Sequence, residues 1–199
     1  FKDQVTPVKI TKKREELAFD TDEHVRGETT ADGLASLRPA FDKEGQVTAG
    51  NSSGINDGAA ALILGNAEKV EKSNKSPLAK IVSYGFGGVA PRIMGMGPVP
   101  ASKMALERAG LKVSQIDIVE SNEAFAAQAC AVSKELGLPS DIVNPNGGAI
   151  ALGHPVGATG AIIMTKLIYE LHRTGSRYGL ATMCIGGGQG IAVIIDTQV

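Results

Sequence analysis

Beyond residue 76, apolar segments of strand length alternate with longer segments of helical periodicity, and this alternation constrains the fold more than any other feature of the sequence. The strand candidates cover residues 79–84, 116–120, 142–144, 180–184 and 191–196. The helix candidates cover residues 101–109, 123–136 and 158–174, and each is followed by glycine, the residue favoured at the left-handed position that ends helices. Strands alternating with helices predict an α/β sheet, here in the order β-α-β-α-β-α-β-β.

The third helix candidate and the last two strands carry further information. Apolar residues surround most of the circumference of the helix: Ile162, Ile163, Met164, Leu167, Ile168 and Leu171. A helix of this kind belongs in the interior of a layered domain, so we expect it to be buried. The last two strands are separated only by Gly186-Gly187-Gly188-Gln189-Gly190, which predicts a hairpin.

The first quarter of the chain has a different character. Residues 1–53 are rich in charge and show little periodicity apart from a short strand candidate at residues 5–10, and we interpret them as an irregular, ligand-facing lobe. An apolar strand is expected at residues 59–64, followed by a short helix from Ala67 that ends near Ser73. These two elements form one βα unit ahead of the alternating region.

Charge and cysteine usage exclude several classes of function. The 21 acidic and 20 basic residues give a net charge of −1, so no broad basic face for nucleic acid or an anionic membrane is expected. No apolar run is long enough to span a bilayer, which predicts a soluble protein without a membrane partner. Cys130 and Cys184 are far apart and lack CxxC pairing, which argues against a disulfide framework or a metal site and favours a reducing, cytoplasmic location.

Four segments with chemically useful side chains fall at strand ends, where α/β sheets bind ligands. They are residues 121–125, 144–148, 153–155 and 184–188. Each has a structural explanation when taken alone. Asn122 is also a good helix cap, His154 before a proline is also a common structural histidine, and Cys184 at the end of an apolar strand is also typical of packing. Glycine runs usually form turns.

Together, these residues suit thiol chemistry on an acyl group. A thiolate can attack or take a proton, an imidazole can relay protons near neutral pH, and an amide with free backbone N–H groups can hold an oxyanion. The spacing of Asn122, His154 and Cys184 does not by itself choose among reactions.

Three blocks of sequence resemble the signatures of the thiolase family. They are Asn122-Glu123-Ala124-Phe125-Ala126, the run from Asn144 through Gly153-His154-Pro155 to Gly157-Ala158-Thr159-Gly160, and Cys184-Ile185-Gly186-Gly187-Gly188-Gln189-Gly190. Earlier blocks at residues 22–26, 37–41 and 48–58 are similar to the coenzyme A-binding lobe of the family. The resemblance covers essentially the whole chain. It is strongest to the branch of acetyl-CoA acetyltransferases, which Met94 also suggests.

The resemblance implies a division of the chain and a sheet of five strands. Residues 1–55 would be part of the coenzyme A-binding lobe, and residues 56–76 would be the last strand and helix of the amino-terminal thiolase half. Residues 77–199 would form the carboxyl-terminal thiolase domain, with a mixed five-stranded sheet. Because complete members commonly form dimers or tetramers, a homo-oligomer is expected.

The resemblance also implies roles for individual residues in the condensation of two acetyl-CoA molecules to acetoacetyl-CoA and coenzyme A. Cys184 would take a proton from the second acetyl-CoA, and the N–H of Gly186 would serve an oxyanion. His154 would activate the acyl-carrying nucleophile and, with a water held by Asn122, donate to the thioester oxygen. Cys130 matches no catalytic position and is assigned to packing.

Substrate contacts follow from the same resemblance. Acetyl-CoA and acetoacetyl-CoA are the expected substrates, with no further cofactor and no metal. Arg26 is expected at the nucleotide end of coenzyme A, and Ala49 and Ser53 along its pantetheine arm. The remaining residues expected in the substrate site are Met94, Ala124 and Phe125.

One departure from the family is large. The acyl-accepting cysteine of the family lies in an amino-terminal half that this sequence lacks, and the first ten residues show neither a secretory signal nor an initiator methionine. We therefore expect the chain to be part of a longer enzyme and inactive alone. A rival interpretation is a noncatalytic acyl-CoA-binding module, which predicts damage to the reactive residues. Ketoacyl synthase relatives are a second alternative, but they generally use two histidines where this chain has His154 and Cys184.

Overall fold

Six strands are present in the computed structural model, which describes residues 1–199. They are β1 (Val8–Lys12), β2 (Glu15–Phe19), β3 (Lys80–Gly88), β4 (Ile118–Ser121), β5 (Tyr178–Ile185) and β6 (Gln189–Asp196). The first two pair as a hairpin, and the other four form a mixed sheet in the order β3-β6-β5-β4. Strands β4 and β5 are parallel, whereas β6 is antiparallel to both of its neighbours. The expected α/β sheet and the hairpin of the last two strands are confirmed.

The α-helices are α1 (Ala31–Ala35), α2 (Ala67–Lys72), α3 (Pro98–Ala109), α4 (Ala126–Leu136), α5 (Ala149–Leu152) and α6 (Thr159–Thr174). Short 3₁₀ turns cover Pro91–Met96, Val113–Gln115 and Ser140–Ile142. The three long helices end as predicted, because Gly110, Gly137 and Gly175 take left-handed φ angles of 66°, 66° and 67° and return their N–H groups to the last turn. Helix α2 also forms as expected, with Asn66 as its cap.

The sheet is packed on both faces, which gives three layers. On one face, Val119 and Leu180 cluster with residues of α3 and α4. On the other face, Ile118 and Ala181 cluster with residues of α6. Neighbouring residues of one strand thus face opposite layers, as the pleat of a strand requires. Burial on both faces explains why the strands are continuous apolar runs in the sequence.

Helix α3 approaches the sheet closely because glycines leave no side chains between them. A Cβ on Gly190 of β6 would overlap the backbone of Gly97, directly before the helix, and a Cβ on Gly85 of β3 would overlap the backbone of Ala101. The helix therefore packs backbone to backbone on these two strands.

The strand expected at residues 142–144 is reduced to a single bridge between Val143 and Val119, so the sheet has four strands rather than five. A 3₁₀ turn precedes the bridge, and Asn144 after it takes a left-handed φ of 47°, which interrupts the extended conformation. The side chain of Asn144 supplies the missing pairing. Its Oδ1 accepts from the N–H of Ser121 at 2.9 Å, and its Nδ2 donates to the carbonyl of Ser121 at 2.8 Å.

In the first third of the chain, the structure differs from the two strands predicted at residues 5–10 and 59–64. The strand expected at residues 5–10 begins later, at Val8, and pairs with β2, which the sequence did not lead us to expect. The apolar strand expected at residues 59–64 is absent, because no strand of this chain pairs with the segment and Ile63 is fully exposed. An extended segment without hydrogen-bonded neighbours is not a stable strand, whatever its composition.

Helix α6 is buried on one face only, which corrects the expectation of burial on most sides. Leu167 and Leu171 are fully buried against β4 and β5, but Ile162 and Ile168 remain partly exposed and Tyr169 is 63% exposed. The outer face of α6 therefore presents apolar surface to solvent in this chain. None of the helices is long and apolar enough to cross a membrane.

Replacing Asn144 with alanine is expected to lower the free energy of unfolding by about 3 kcal/mol, because the change removes three side-chain hydrogen bonds, two with Ser121 and one with Glu123, and leaves a poorly suited residue in a left-handed conformation. Asn74 is a matched control, since its φ of 53° is also left-handed but its side chain is exposed and forms no hydrogen bond. Asn74→Ala should cost only about 1 kcal/mol. Urea unfolding measures both values, and equal losses would mean that the Asn144 side chain does not stabilise the sheet edge.

Candidate active site

Asn122 and His154 meet at the carboxyl edge of the sheet. Asn122 directly follows β4 and is 2% exposed, whereas His154 follows α5 through Gly153, which turns the chain with a φ of 99°. The Nδ2 of Asn122 lies 3.5 Å from the Nε2 of His154. Asn122 does not cap the next helix, because α4 begins only at Ala126 and has no side-chain cap. The helix-cap explanation of Asn122 is therefore wrong.

Three further contacts fix the position of His154. Its Nδ1 lies 2.7 Å from the hydroxyl of Thr159, at the start of α6. Its backbone N–H donates to the Oδ1 of Asn56 at 3.0 Å, beside a parallel bridge to Ile55. Burial lowers the pKa of His154, so the imidazole is neutral near pH 7 and able to accept a proton.

Cys184 lies near the end of the neighbouring strand β5 and is buried. The N–H of Asn122 donates to the carbonyl of Thr182 at 2.9 Å, so the two strands deliver Asn122 and Cys184 to the same edge of the sheet. The thiol forms no hydrogen bond with Asn122 or His154, although those two side chains contact each other. Burial raises the pKa of the Cys184 thiol, so it is protonated at rest and forms a strong base once deprotonated.

Gly186 opens the short loop that joins β5 to β6. The next two residues, Gly187 and Gly188, take positive φ angles of 84° and 94°, which glycine adopts readily. No atom lies within 4 Å of the position that a Cβ on Gly186 would occupy, so the space beside it is open to a ligand. The loop can therefore present backbone N–H groups near the edge where Cys184 emerges.

Three of the residues expected to contact coenzyme A are brought together beside α4. The N–H of Ser53 donates to the carbonyl of Ala124 at 3.1 Å, and Ser52 forms an antiparallel bridge with Phe125. Phe41 packs edge-on against Phe125 with ring centroids 5.9 Å apart. Segments of the first third of the chain are thus joined to the loop that follows Asn122.

The other expected substrate contacts lie outside this group. Met94 is half-buried in the 3₁₀ turn that packs against α4. Arg26 and Ala49 are exposed, and the Arg26 side chain forms no hydrogen bond or ion pair. Ala49 lies in the turn that Ser52 closes by donating to the carbonyl of Thr48.

Cys130 is exposed on α4, so its assignment to packing is wrong. The buried face of that helix is formed by Gln128, Val132 and Leu136. Helical spacing places residue 130 on the opposite side, because two positions along an α-helix correspond to more than half a turn.

Glu123 organises the loops beside the site, a role that the sequence analysis missed. Its carboxylate accepts from the Nδ2 of Asn144 and from the backbone N–H of Ile150, both at 3.2 Å. It also occupies the space beside Gly148, where a Cβ would overlap the carboxylate. Glu123 stands inside a family block, but its partners are more than 20 residues away, so no local signal marked this role.

A second missed feature is the buried ion pair of Glu120 and Lys166. Glu120 is 1% exposed, and its Oε2 lies 3.0 Å from the Nζ of Lys166, which also donates to the carbonyl of Gly147 at 2.6 Å. Burial raises the pKa of Glu120, and the charge of Lys166 opposes that rise. Glu120, Lys166 and Asn122 all line a cavity of about 230 Å³ on the α6 side of the sheet.

Nowhere do three or more His, Cys, Asp or Glu side chains gather to hold a metal ion.

Comparison with known proteins identifies the family. The sequence profile described as "Thiolase, C-terminal domain" matches residues 75–197, and the profile described as "Thiolase, N-terminal domain" matches residues 1–68. This chain belongs to the thiolase family, as the sequence resemblance implied.

Individual relatives agree with this assignment. The beta-ketothiolase BktB of Cupriavidus necator is 58% identical over 98% of this chain, and the acetyl-CoA acetyltransferase of Shinella zoogloeoides is 54% identical over 99% of it. The aligned region covers 50% of each relative, so the chain spans about half the length of the curated relatives it matches.

Solved structures show the same fold. The acetyl-CoA acetyltransferase of Bacillus anthracis superposes with a TM-score of 0.91 at 50% identity, covering 98% of this chain and 50% of that chain. Human mitochondrial 3-ketoacyl-CoA thiolase in complex with CoA superposes with a TM-score of 0.84 at 48% identity, covering 92% of this chain and 46% of that chain. The thiolase-like fold is confirmed.

Replacing Gly148 with alanine is expected to lower the free energy of unfolding by about 2 kcal/mol, because the added methyl group displaces the carboxylate of Glu123 from its partners. Gly157→Ala is a matched control in the same loop region, since nothing lies within 4 Å of a Cβ there and its φ is not left-handed. That variant should be nearly unchanged. Thermal unfolding compares the two, and a Gly148→Ala protein as stable as Gly157→Ala would contradict the role assigned to Glu123.

Proposed function

We propose that this chain supplies the condensing part of a thiolase active site, which joins two molecules of acetyl-CoA into acetoacetyl-CoA and free CoA and also catalyses the reverse thiolysis. Membership of the thiolase family supports the reaction class, and relatives named acetyl-CoA acetyltransferase support a short acyl chain. The observation that carries the proposal is the contact between neutral His154 and buried Asn122 at the edge where Cys184 also emerges.

The first half-reaction loads an acetyl group onto a cysteine that lies outside these 199 residues. In this proposal, the Nε2 of His154 takes the proton of that cysteine, and the resulting thiolate attacks the carbonyl of acetyl-CoA. The tetrahedral intermediate collapses and CoA leaves as a thiolate. Cys184, protonated at rest because burial raises its pKa, gives its proton to the departing sulfur and becomes a thiolate.

The second half-reaction forms the carbon–carbon bond. The thiolate of Cys184 takes a proton from the methyl group of a second acetyl-CoA, and the enolate carbon attacks the acetyl carbonyl on the loaded cysteine. That cysteine leaves as a thiolate and recovers its proton from His154, so every group returns to its starting state. Protonated His154 and a water on Asn122 stabilise the enolate oxygen, while the N–H of Gly186 serves the oxyanion on the acetyl group under attack.

Coenzyme A would bind across the lobe that the first third of the chain contributes. Ser53, Ala124 and Phe125 lie together beside α4 and form the proposed wall for the pantetheine arm. The exposed guanidinium of Arg26 would meet the anionic nucleotide end, with Ala49 and Met94 as further contacts. The chemistry needs no cofactor beyond the thioester substrate itself.

The proposal includes the organisation of the complete protein. We assign residues 1–55 to the coenzyme A-binding lobe, residues 56–76 to the end of the amino-terminal half, and residues 77–199 to the carboxyl-terminal domain. The separate family matches at residues 1–68 and 75–197 support a division near this point. The partner is then the amino-terminal half of the same enzyme, and a cytoplasmic homo-oligomer is the proposed complete form.

A noncatalytic acyl-CoA-binding module is the alternative of a different class. It would keep the fold while losing the reacting groups, so damage is expected at His154, Asn122 or Cys184. Instead, all three residues are present, and His154 and Asn122 contact each other without either serving as a helix cap. This arrangement favours the enzyme.

Substitutions in the complete protein separate the two half-reactions. Cys184→Ala is expected to retain labelling by radioactive acetyl-CoA, because CoA can leave as a thiolate and take a proton from water, but to slow condensation by about a hundred- to ten-thousand-fold. His154→Ala should slow both steps. Cys130→Ala is the matched control and should change neither, since that thiol is exposed on α4. If Cys184→Ala abolished labelling while condensation persisted, the assigned roles would be reversed.

The 199 residues alone are expected to show no thiolase turnover and to self-associate. Turnover is lost because no acyl-enzyme forms without the nucleophilic cysteine. Association follows from the uncovered face of α6, since leaving the apolar area of a helix face in water costs several kcal/mol at roughly 25 cal/mol per Å². On one sample, the loss of acetoacetyl-CoA measures turnover, and light scattering measures self-association. A monomeric and active preparation would contradict the proposed division of the enzyme.

A further inference from the structure

Thr159 joins the imidazole of His154 to the backbone at the start of α6. Its side chain is 3% exposed, and its Oγ1 lies 2.7 Å from the Nδ1 of His154 and 2.9 Å from the carbonyl oxygen of Pro155. We propose that Thr159 is a positioning residue that holds resting His154 in the tautomer protonated at Nδ1, so that Nε2 is free to accept a proton in the site.

The hydroxyl of Thr159 has two neighbours but a single proton. A hydroxyl has one proton to donate, and the carbonyl of Pro155 can only accept. If the proton were given to His154, two buried oxygen atoms 2.9 Å apart would face each other with no proton between them and no room for a water. The proton therefore points to Pro155, and the hydroxyl oxygen accepts a hydrogen bond from Nδ1–H of His154.

The other ring nitrogen of His154 faces Asn122. The Nε2 of His154 faces the Nδ2 of Asn122 at 3.5 Å, and an amide nitrogen donates but does not accept. A nitrogen already carrying hydrogen would meet another donor there. This contact is at the long limit of a hydrogen bond and the Oδ1 of Asn122 has no partner, so the contact with Thr159 decides the tautomer, in which Nδ1 carries hydrogen and Nε2 carries the lone pair.

Backbone hydrogen bonds hold both the Thr159 hydroxyl and the His154 ring in place. The carbonyl of Pro155 also accepts the N–H groups of Ala158 and Thr159, both at 2.8 Å, so it is held within the first turn of the helix. The backbone of His154 is held from the other side by Asn56. Neither the hydroxyl nor the ring can therefore turn easily to exchange the roles of the two nitrogens.

The tautomer itself does not depend on the proposed function, but its catalytic consequence rests on it. In the proposed loading step, the Nε2 of His154 must take a proton from the nucleophilic cysteine, which requires a lone pair on that nitrogen. A histidine protonated at Nε2 would present hydrogen to the cysteine instead. Thr159 would then act through His154, without touching the substrate.

The tautomer is directly observable. Magic-angle-spinning NMR of the 199-residue chain labelled with ¹⁵N-histidine tolerates self-association, and the chain has only 3 histidines. The signals of His154 are assigned by their loss in His154→Gln. At a pH where the ring is neutral, Nδ1 is expected at the protonated ¹⁵N position and Nε2 at the unprotonated one. The opposite pattern in the unchanged chain overturns the proposal, whatever the variants do.

Two substitutions test the role of the hydroxyl. Thr159→Val keeps the branched shape but removes the acceptor, so His154 is expected to populate the tautomer protonated at Nε2. Thr159→Ser keeps the hydroxyl and is expected to retain the original pattern. A merely structural Thr159 predicts that the valine variant, if folded, keeps the original tautomer, and that result overturns the proposal.

Acetyl labelling of the complete enzyme supplies the catalytic readout. Thr159→Val should slow loading about tenfold or more, which is less than the hundred- to ten-thousand-fold of a lost acid or base because His154 itself is retained, and Thr159→Ser should restore most of the rate. A changed tautomer with unchanged loading would refute the catalytic consequence alone. Absence of loading in the unchanged complete protein would refute the proposed function, while the NMR result would still decide the role of Thr159.

Discussion

The parallel pairing of β4 with β5 is the constraint on which the site depends. It aligns Ser121 with Thr182, so Asn122 leaves β4 beside the last residues of β5, which include Cys184, at one edge of the sheet. Alternate residues of β4 and β5 face opposite sides of the sheet, where they pack on α3 and α4 on one side and on α6 on the other. A shift of this register by one residue would exchange the two faces and move the buried groups into the wrong layers.

Local sequence signals predicted most of the carboxyl-terminal region. Helix ends, the last hairpin and the α/β alternation depend on residues close in the chain, such as the capping glycines and the apolar periods. The segment at residues 59–64 and the strand at residues 142–144 failed for a different reason. Strands are stabilised by neighbours that may lie far away in sequence, and composition does not reveal whether those neighbours exist. The first segment has no neighbour in this chain, and the second is paired through the side chain of Asn144.

In the candidate site, too, the contacts between residues distant in sequence were not predicted. Motif blocks predicted Asn122, His154, Cys184 and Gly186 because their chemistry and sequence context are recognisable. The residues that hold them were missed, since Asn56 lies 98 positions from His154 and meets it only in the folded protein. A polar side chain that substitutes for backbone pairing has no periodicity to detect. Its function becomes visible only when the donors and acceptors of the loops are matched one by one.

The sheet order also has a consequence for the time course of folding. Strand β6 lies between β3 and β5 and is completed only at Asp196. Strand β3 is synthesised first in this sheet, but its only strand partner is β6, which is synthesised last. Pairings this distant in sequence require closure of a long loop before they contribute stability, and they slow folding accordingly. During synthesis, β3 and α3 can pack on each other, but the pairing edge of β3 and the part of α3 that meets β6 remain uncovered. The glycine-backed contact of α3 with β6 makes the final strand the element that joins the early and late parts of the domain.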